Sequence, residues 1–272
     1  MATACGADPS PGRPTHSLYN VENPQAGVSM SWLDRVIAVP TIGVRFRPWF
    51  KSVDHYVAAL EPMFEELEPN GTAEVQGQVA SISFNTKRGL SGKVDSEDII
   101  VNFSYRPVVK ENPGAVPFLD YRGPVERYTE LLENVEELMG TVCRALLKAP
   151  RQVMRIGVVA EARLDRRSPP PGVDKFVAHL GRPWQNGLSE YNANVSAVLD
   201  RGDGAFTRCH HTTVFQEAQE NDVLQLKLDW QRVFEPKREY EAERLIQEVA
   251  AARASALDYF ESFGRGDLRY EV

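Results

Sequence analysis

One eight-residue segment occurs twice in this chain, and that repetition constrains the fold more than any other feature. Val53–Leu60 reads VDHYVAAL and 173–180 reads VDKFVAHL, with five positions identical and Tyr56 matched by a second aromatic, Phe176. The flanking segments keep the same order. Ile42-Gly43-Val44 precedes the first copy and Ile156-Gly157-Val158 the second, 79–82 finds an echo in 195–198, and Val101, Phe103, Tyr105 find one in Leu226, Leu228, Trp230. Ordered matches at a period near half the chain mark a duplicated unit.

Each copy is expected to run strand, helix, two strands, helix. The fold class is therefore α+β, two degenerate β-α-β-β-α repeats with a mainly antiparallel sheet and long helices packed on it. The boundaries follow: a flexible N-terminal arm over 1–31, rich in Pro, Gly, Ser and Asn, a first repeat over 32–150 and a second over 151–272. Ile42, Val44 and Phe46 alternate with Gly43, Arg45 and Arg47, which predicts a half-buried strand within 36–50. Ser52 is placed to cap a helix carrying Val53, Tyr56, Val57, Leu60, Phe64 and Leu67 at helical spacing, with Pro62 as a kink and Asn70-Gly71 as its end.

Strands follow over 75–85 and 98–107, joined by a Gly-rich connection at 87–93. Tyr128, Leu131, Leu132, Val135, Leu138, Met139, Val142 and Leu146 then share one face of a helix over 125–148, with Cys143 beside it as a small buried hydrophobe. The second copy carries a Pro-rich insertion at 166–172, an additional strand at 205–215, a strand over 226–234, and a closing helix over 240–263. Paired about a pseudo-twofold axis, the two copies either join their sheets or face them across a groove. Such a groove is the default ligand site.

Chemistry-bearing residues fall into two groups. Cys209, His210 and His211 combine thiol and imidazole, which suit zinc or a nucleophile and base. On a strand, however, His210 points away from Cys209 and His211, so Cys209 and His211 are at best two ligands of a tetrahedral site and no metal or other cofactor is expected. The second group comprises polar strand-face residues with aromatic neighbours. It contains Arg45, Arg47 and Trp49 in the first copy, Glu161 and Arg163 in the second, and Lys227, Asp229 and Trp230 on the last strand. Brought together in the groove, these residues suit an anionic or amphipathic ligand.

Composition narrows the function classes. A net charge of −7 over 272 residues repels phosphate backbones, and the densest basic group, Arg163, Arg166 and Arg167, lies beside Asp165 in a loop-like stretch, which argues against nucleic acid as a partner. Three widely spaced cysteines without a CxxC indicate neither a disulfide framework nor a zinc module, so a cytoplasmic setting is expected. No apolar run has the length of a bilayer span or a signal-peptide core, so no membrane association is expected. GxSxG, GxxxxGK[ST], HExxH and the dinucleotide-binding glycine fingerprint are all missing from the sequence.

The succession of 39–48, then Arg155-Ile156-Gly157 near mid-chain, then 226–234 before a terminal helix resembles a sporadically distributed bacterial family of uncharacterised proteins. Val159 and Ala160 stand where that family carries an Arg-Tyr pair. The resemblance implies a bacterial source and a two-halved α+β fold, and it brings no activity with it. The expectation that results is a non-enzymatic binding protein that engages a protein partner or small ligand between its repeats. The alternatives are an enzyme centred on Cys209 and His211 or on Glu161 and Arg163, and a structural subunit of a larger assembly.

Overall fold

A computed structural model describes residues 30–49, 52–63, 65–68, 72–76, 79–105, 107–110, 118–121, 126–181, 192–200, 206–216 and 223–267. The expected N-terminal arm lies outside these except for Met30 and Ser31. After a 3-10 turn at Trp32–Arg35 come β1 (Ile37–Phe46), α1 (Val53–Leu60), β2 (Thr72–Gln76), β3 (Val79–Asn85), β4 (Leu90–Val94) and β5 (Asp98–Phe103). A hairpin of β6 (Pro107–Lys110) and β7 (Phe118–Tyr121) leads to α2 (Tyr128–Leu146). The chain continues with β8 (Arg151–Asp165), α3 (Pro171–Gly181), β9 (Asn192–Asp200), β10 (Thr207–Gln216), β11 (Val223–Tyr240) and α4 (Ala242–Gly264).

Alternation of apolar and polar residues turns these strands into a two-faced sheet. Ala38, Ile42, Val44 and Phe46 of β1, Ile156, Val158 and Ala160 of β8, and Leu224, Leu226, Leu228 and Trp230 of β11 are all buried on one face. Their odd-numbered neighbours in β1 and β8 lie half-buried or exposed on the other. Nine strands pair in the order β2-β3-β4-β5-β1-β8-β11-β10-β9, and every pairing is antiparallel. At the centre β1 lies against β8, with Gly43 opposite Gly157, Ile42 opposite Val158 and Val44 opposite Ile156. The protein is thus α+β with a mainly antiparallel sheet, and its two halves share one sheet without a cleft between two.

Helices cover the apolar face. α2 packs on β1 and β5, α4 on β8 and β11, and the two touch each other, with α1 against α2 and α3 against α4. All eight apolar residues expected on the face of α2 are buried, and Cys143 is fully buried among them. Burial pushes its thiol pKa up to about 12.

The 3-10 turn at Trp32–Arg35 locks both helices. Asp34 accepts hydrogen bonds from the Thr129 backbone N–H at 2.9 Å and its hydroxyl at 3.1 Å, which serves the unpaired first turn of α2. The Trp32 indole donates to the Phe260 carbonyl at 2.8 Å and occupies the space a Cβ on Gly264 would fill.

Several boundaries differ from expectation. Each half holds more strands than a β-α-β-β-α unit: β2–β5 and the β6–β7 hairpin separate α1 from α2, and β9–β11 separate α3 from α4. Most of β4 falls within the Gly-rich connection expected at 87–93. A Cβ on Gly92 would stand 2.2 Å from the Phe84 ring, so glycine is the residue this strand needs, although it reads as a loop. The strand expected as an addition at 205–215 is β10, third from the β1–β8 seam, the place that β4 takes on the other flank. α1 stops at Leu60 and passes into a 3-10 turn at Glu61–Met63, because Pro62 has no N–H to donate and disfavours helix before it. β11 runs to Tyr240, where the closing helix was expected to begin.

Glycine positions give the first prediction. Gly92→Val is expected to lose about 1–3 kcal/mol by overpacking against Phe84. At Gly43 an added Cβ meets, among the described residues, only Ile100 Cγ1, at 3.8 Å, and Gly43→Val is expected to hold or raise stability. Urea denaturation of the two variants measures both.

Candidate functional site

The face of the sheet opposite the helices is where the polar strand residues gather, and strand register sorts them into rows. In one row Ile37 of β1 lies opposite Arg163 of β8, which lies opposite Gln225 of β11 and then Phe215 of β10. In the next, Val39 is followed by Glu161, Lys227 and Thr213. These two rows, with Ser104 and Tyr105 just past β5, line an open cavity of about 430 Å³. Its size falls in the range of small-ligand pockets, roughly 300–1,000 Å³.

Register places Glu161 and Lys227 directly opposite one another, and Lys227 Nζ sits 2.9 Å from Glu161 Oε1. Both side chains are about half exposed, at 49% and 51%, so water screens the pair and it contributes only about 0.2–1 kcal/mol. Among the described residues that line the cavity, Arg163 and Lys227 are the cationic side chains and Glu161 is the carboxylate. Apolar walls come from Ile37, Val39, Tyr105 and Phe215, the last one of three exposed large hydrophobic side chains among the described residues.

The structure thus brings together Glu161, Arg163 and Lys227 from the expected set. It separates the others. Arg45 lies on the same face but three rows from Glu161, roughly 20 Å at strand rise. There it makes two hydrogen bonds to Asp98, at 2.8 and 2.7 Å, which raise its pKa further. Asp229 lies one row from Lys227 and accepts from Gln231 Nε2 at 2.8 Å.

Arg47 lies past the end of β1, exposed, with its backbone N–H donated to the Gln152 carbonyl at 2.9 Å. Trp49 and Trp230 are corrections. Trp230 shares parity with Leu226 and Leu228 and is 1% exposed beneath the helices. Trp49 is stacked on Phe46 with the Arg151 guanidinium over its ring at 4.6 Å. Tyr105, Phe215, Ile37 and Val39 replace these tryptophans as the apolar part of the site. Ile37 and Val39 share parity with Arg45, and that was the signal that could have found them.

Cys209 and His211 do share the open face, as strand alternation requires. His211 Nδ1 lies 2.6 Å from Ser196 Oγ, and Asp229 is opposite His211 in register but is held by Gln231 instead. Burial raises the Cys209 thiol pKa, and Arg155 only partly offsets that, so the reactive thiolate is disfavoured at neutral pH. Among the described residues no group of three or more His, Cys, Asp and Glu side chains is placed to hold a metal ion.

His210 points to the helix side, stacked on Tyr259 at 3.9 Å between ring centroids, with no hydrogen-bond partner for either ring nitrogen among the described residues. Burial lowers its pKa from 6.5 to about 4. Between those values the unfolded chain binds a proton that the folded one refuses, so stability falls as pH drops through that window, by at most about 3 kcal/mol. His210→Phe keeps the stack and removes the titration. Its stability is expected to vary less than the wild type's between those pH values, as measured by urea denaturation at stepped pH.

Among the described residues no helix is long and apolar enough to cross a membrane. Comparison with known protein families, curated proteins and solved structures gives no match.

Proposed function

We propose that this chain is a non-enzymatic binding protein, built from two degenerate copies of one unit, that holds a small amphipathic anion on the open face of its sheet. The observation that carries this reading is the cavity between β1, β8, β11 and β10, with Arg163 and Lys227 beside the apolar surface of Ile37, Val39, Tyr105 and Phe215. A ligand carboxylate replaces Glu161 as the partner of Lys227 at little cost, because the existing pair is half exposed and weak. The ligand's apolar end then covers Phe215. Matching octapeptides in α1 and α3, and glycine opposite glycine where β1 meets β8, support descent from a duplicated unit.

Binding is favoured over catalysis by the state of the reactive groups. The Cys209 thiol is held protonated, and Glu161 is paired with Lys227 and has no histidine or cysteine beside it among the described residues that line the cavity, so Ser104 and Thr213 have no imidazole base there to activate them. The reading includes a bacterial, cytoplasmic setting, and its cytoplasmic part is supported by Cys143 and Cys209, which both stand as free thiols.

The test is a thermal-shift and calorimetric screen with medium-chain fatty acids and aryl carboxylates against matched amines and alcohols. Carboxylates are expected to stabilise the wild type, by about 2.7 kcal/mol at a hundredfold excess over Kd. Lys227→Glu and Phe215→Asp are expected to weaken binding at least tenfold while the unliganded proteins melt as the wild type does. Equal response to amines, or carboxylate binding that survives both substitutions, sinks the proposal.

A further inference from the structure

We infer that the outer edge of β9 is a self-association interface, where a second copy of this chain pairs antiparallel and extends the sheet across a twofold axis. β9 ends the sheet order, so its outward backbone N–H and C=O groups have no strand partner among the described residues. Edge strands are ordinarily protected by shortness, a bulge, proline or charge. β9 has none of these through its middle. It spans nine residues against five for β2 at the opposite edge, and its register with β10 runs unbroken from Asn192 opposite Phe215 to Asp200 opposite Thr207. Between Asn192 and Val198 it has neither proline nor charge, in a chain whose residues are 25% charged. Val198 is 69% exposed, the most exposed large hydrophobic among the described residues.

The pattern along β9 selects a second copy over an unrelated strand. Ala193, Val195 and Ala197 face the helix side, half-buried, and Ala193 and Val195 pack against the core. Asn194, Ser196 and Val198 face the open side, exposed. Antiparallel pairing about Ser196 keeps each face on its own side. It sets Val195 against the second copy's Ala197, Asn194 against its Val198 and Ser196 against its Ser196. Apolar meets apolar on the covered side, no like charges meet between Asn194 and Val198, and the same strand serves both subunits, as an isologous contact requires. The β1–β8 seam already joins two long antiparallel strands in this way within one chain.

The experiment uses the full chain in light scattering coupled to gel filtration over a dilution series, with two double variants. Asn194→Lys with Val198→Lys makes the introduced lysines face one another across the proposed axis, and Asn194→Glu with Val198→Glu does the same with carboxylates. The wild type is expected at twice the chain mass, and each variant alone at the chain mass with unchanged melting. An equimolar mixture of the two variants is expected to return to twice the chain mass. In parallel, amide exchange in the wild type is expected to slow within Asn192–Asp200 as concentration rises, a readout that does not depend on the variants folding. A wild type that stays at the chain mass overturns the inference. So does a dimer that persists in the lysine variant, or exchange in β9 that ignores concentration.

Discussion

The antiparallel contact between β1 and β8 is the constraint on which the rest of this structure depends. Ten residues of β1 run against β8, from Ile37 opposite Arg163 to Phe46 opposite Val153, and the contact makes one nine-stranded sheet from two smaller ones. Without it β1 and β8 would each be an edge, and each half would have a core open on one side. With it, α2 and α4 lie side by side over the seam, and Tyr128 of α2 meets Phe260 of α4 edge to face at 6.4 Å. The packing of the two halves is therefore one cooperative problem. Trp32, at the start of the first half, reaches the last helix of the second.

That seam also decides what the open face offers. Because register is fixed by burying Ile42, Val44, Ile156 and Val158, the partners of the exposed residues are fixed too, since a slip by one residue would turn every side chain to the other face. Glu161 meets Lys227, and Arg45 comes opposite Arg155. Two guanidinium groups directly opposite one another repel, and Asp98 on β5 offsets this at Arg45, while Arg155 Nη1 donates to Gln231 at 3.2 Å. The charges of the face are thus distributed by a register that serves the core, which is why only part of the expected constellation comes together.

Much of the fold was legible because period alone carries it. The 3.6-residue recurrence from Tyr128 to Leu146 and the alternation in β1 and β11 name the buried face residue by residue. What was not legible has identifiable causes. Glycine gives no periodic signal, so β4 was hidden, although Gly92 is there to accommodate the Phe84 ring. A single strand also says nothing of its neighbour, so Glu161 and Lys227 could be placed on polar faces but not opposite one another. The burial of Trp230 is readable from its strand: a residue in step with Leu226 and Leu228 cannot also stand beside Lys227 and Asp229.

The cavity spans the seam from β1 to β10, and β10 is also the strand that holds the β9 edge, so the proximity of the two follows from topology. β10 supplies Thr213 and Phe215 to the cavity and holds β9 by its other edge, with Phe215 opposite Asn192. A sheet is stiffened along its hydrogen-bonded direction by each strand added, and an edge strand frays most readily. A strand paired to β9 would therefore brace β10 and the wall of the cavity that Phe215 forms. The proposed ligand site and the proposed interface share one mechanical element, β10. A ligand that orders Phe215 and a second copy that orders β9 each lower the entropy that the other must remove, which makes the two events mutually favourable if both occur.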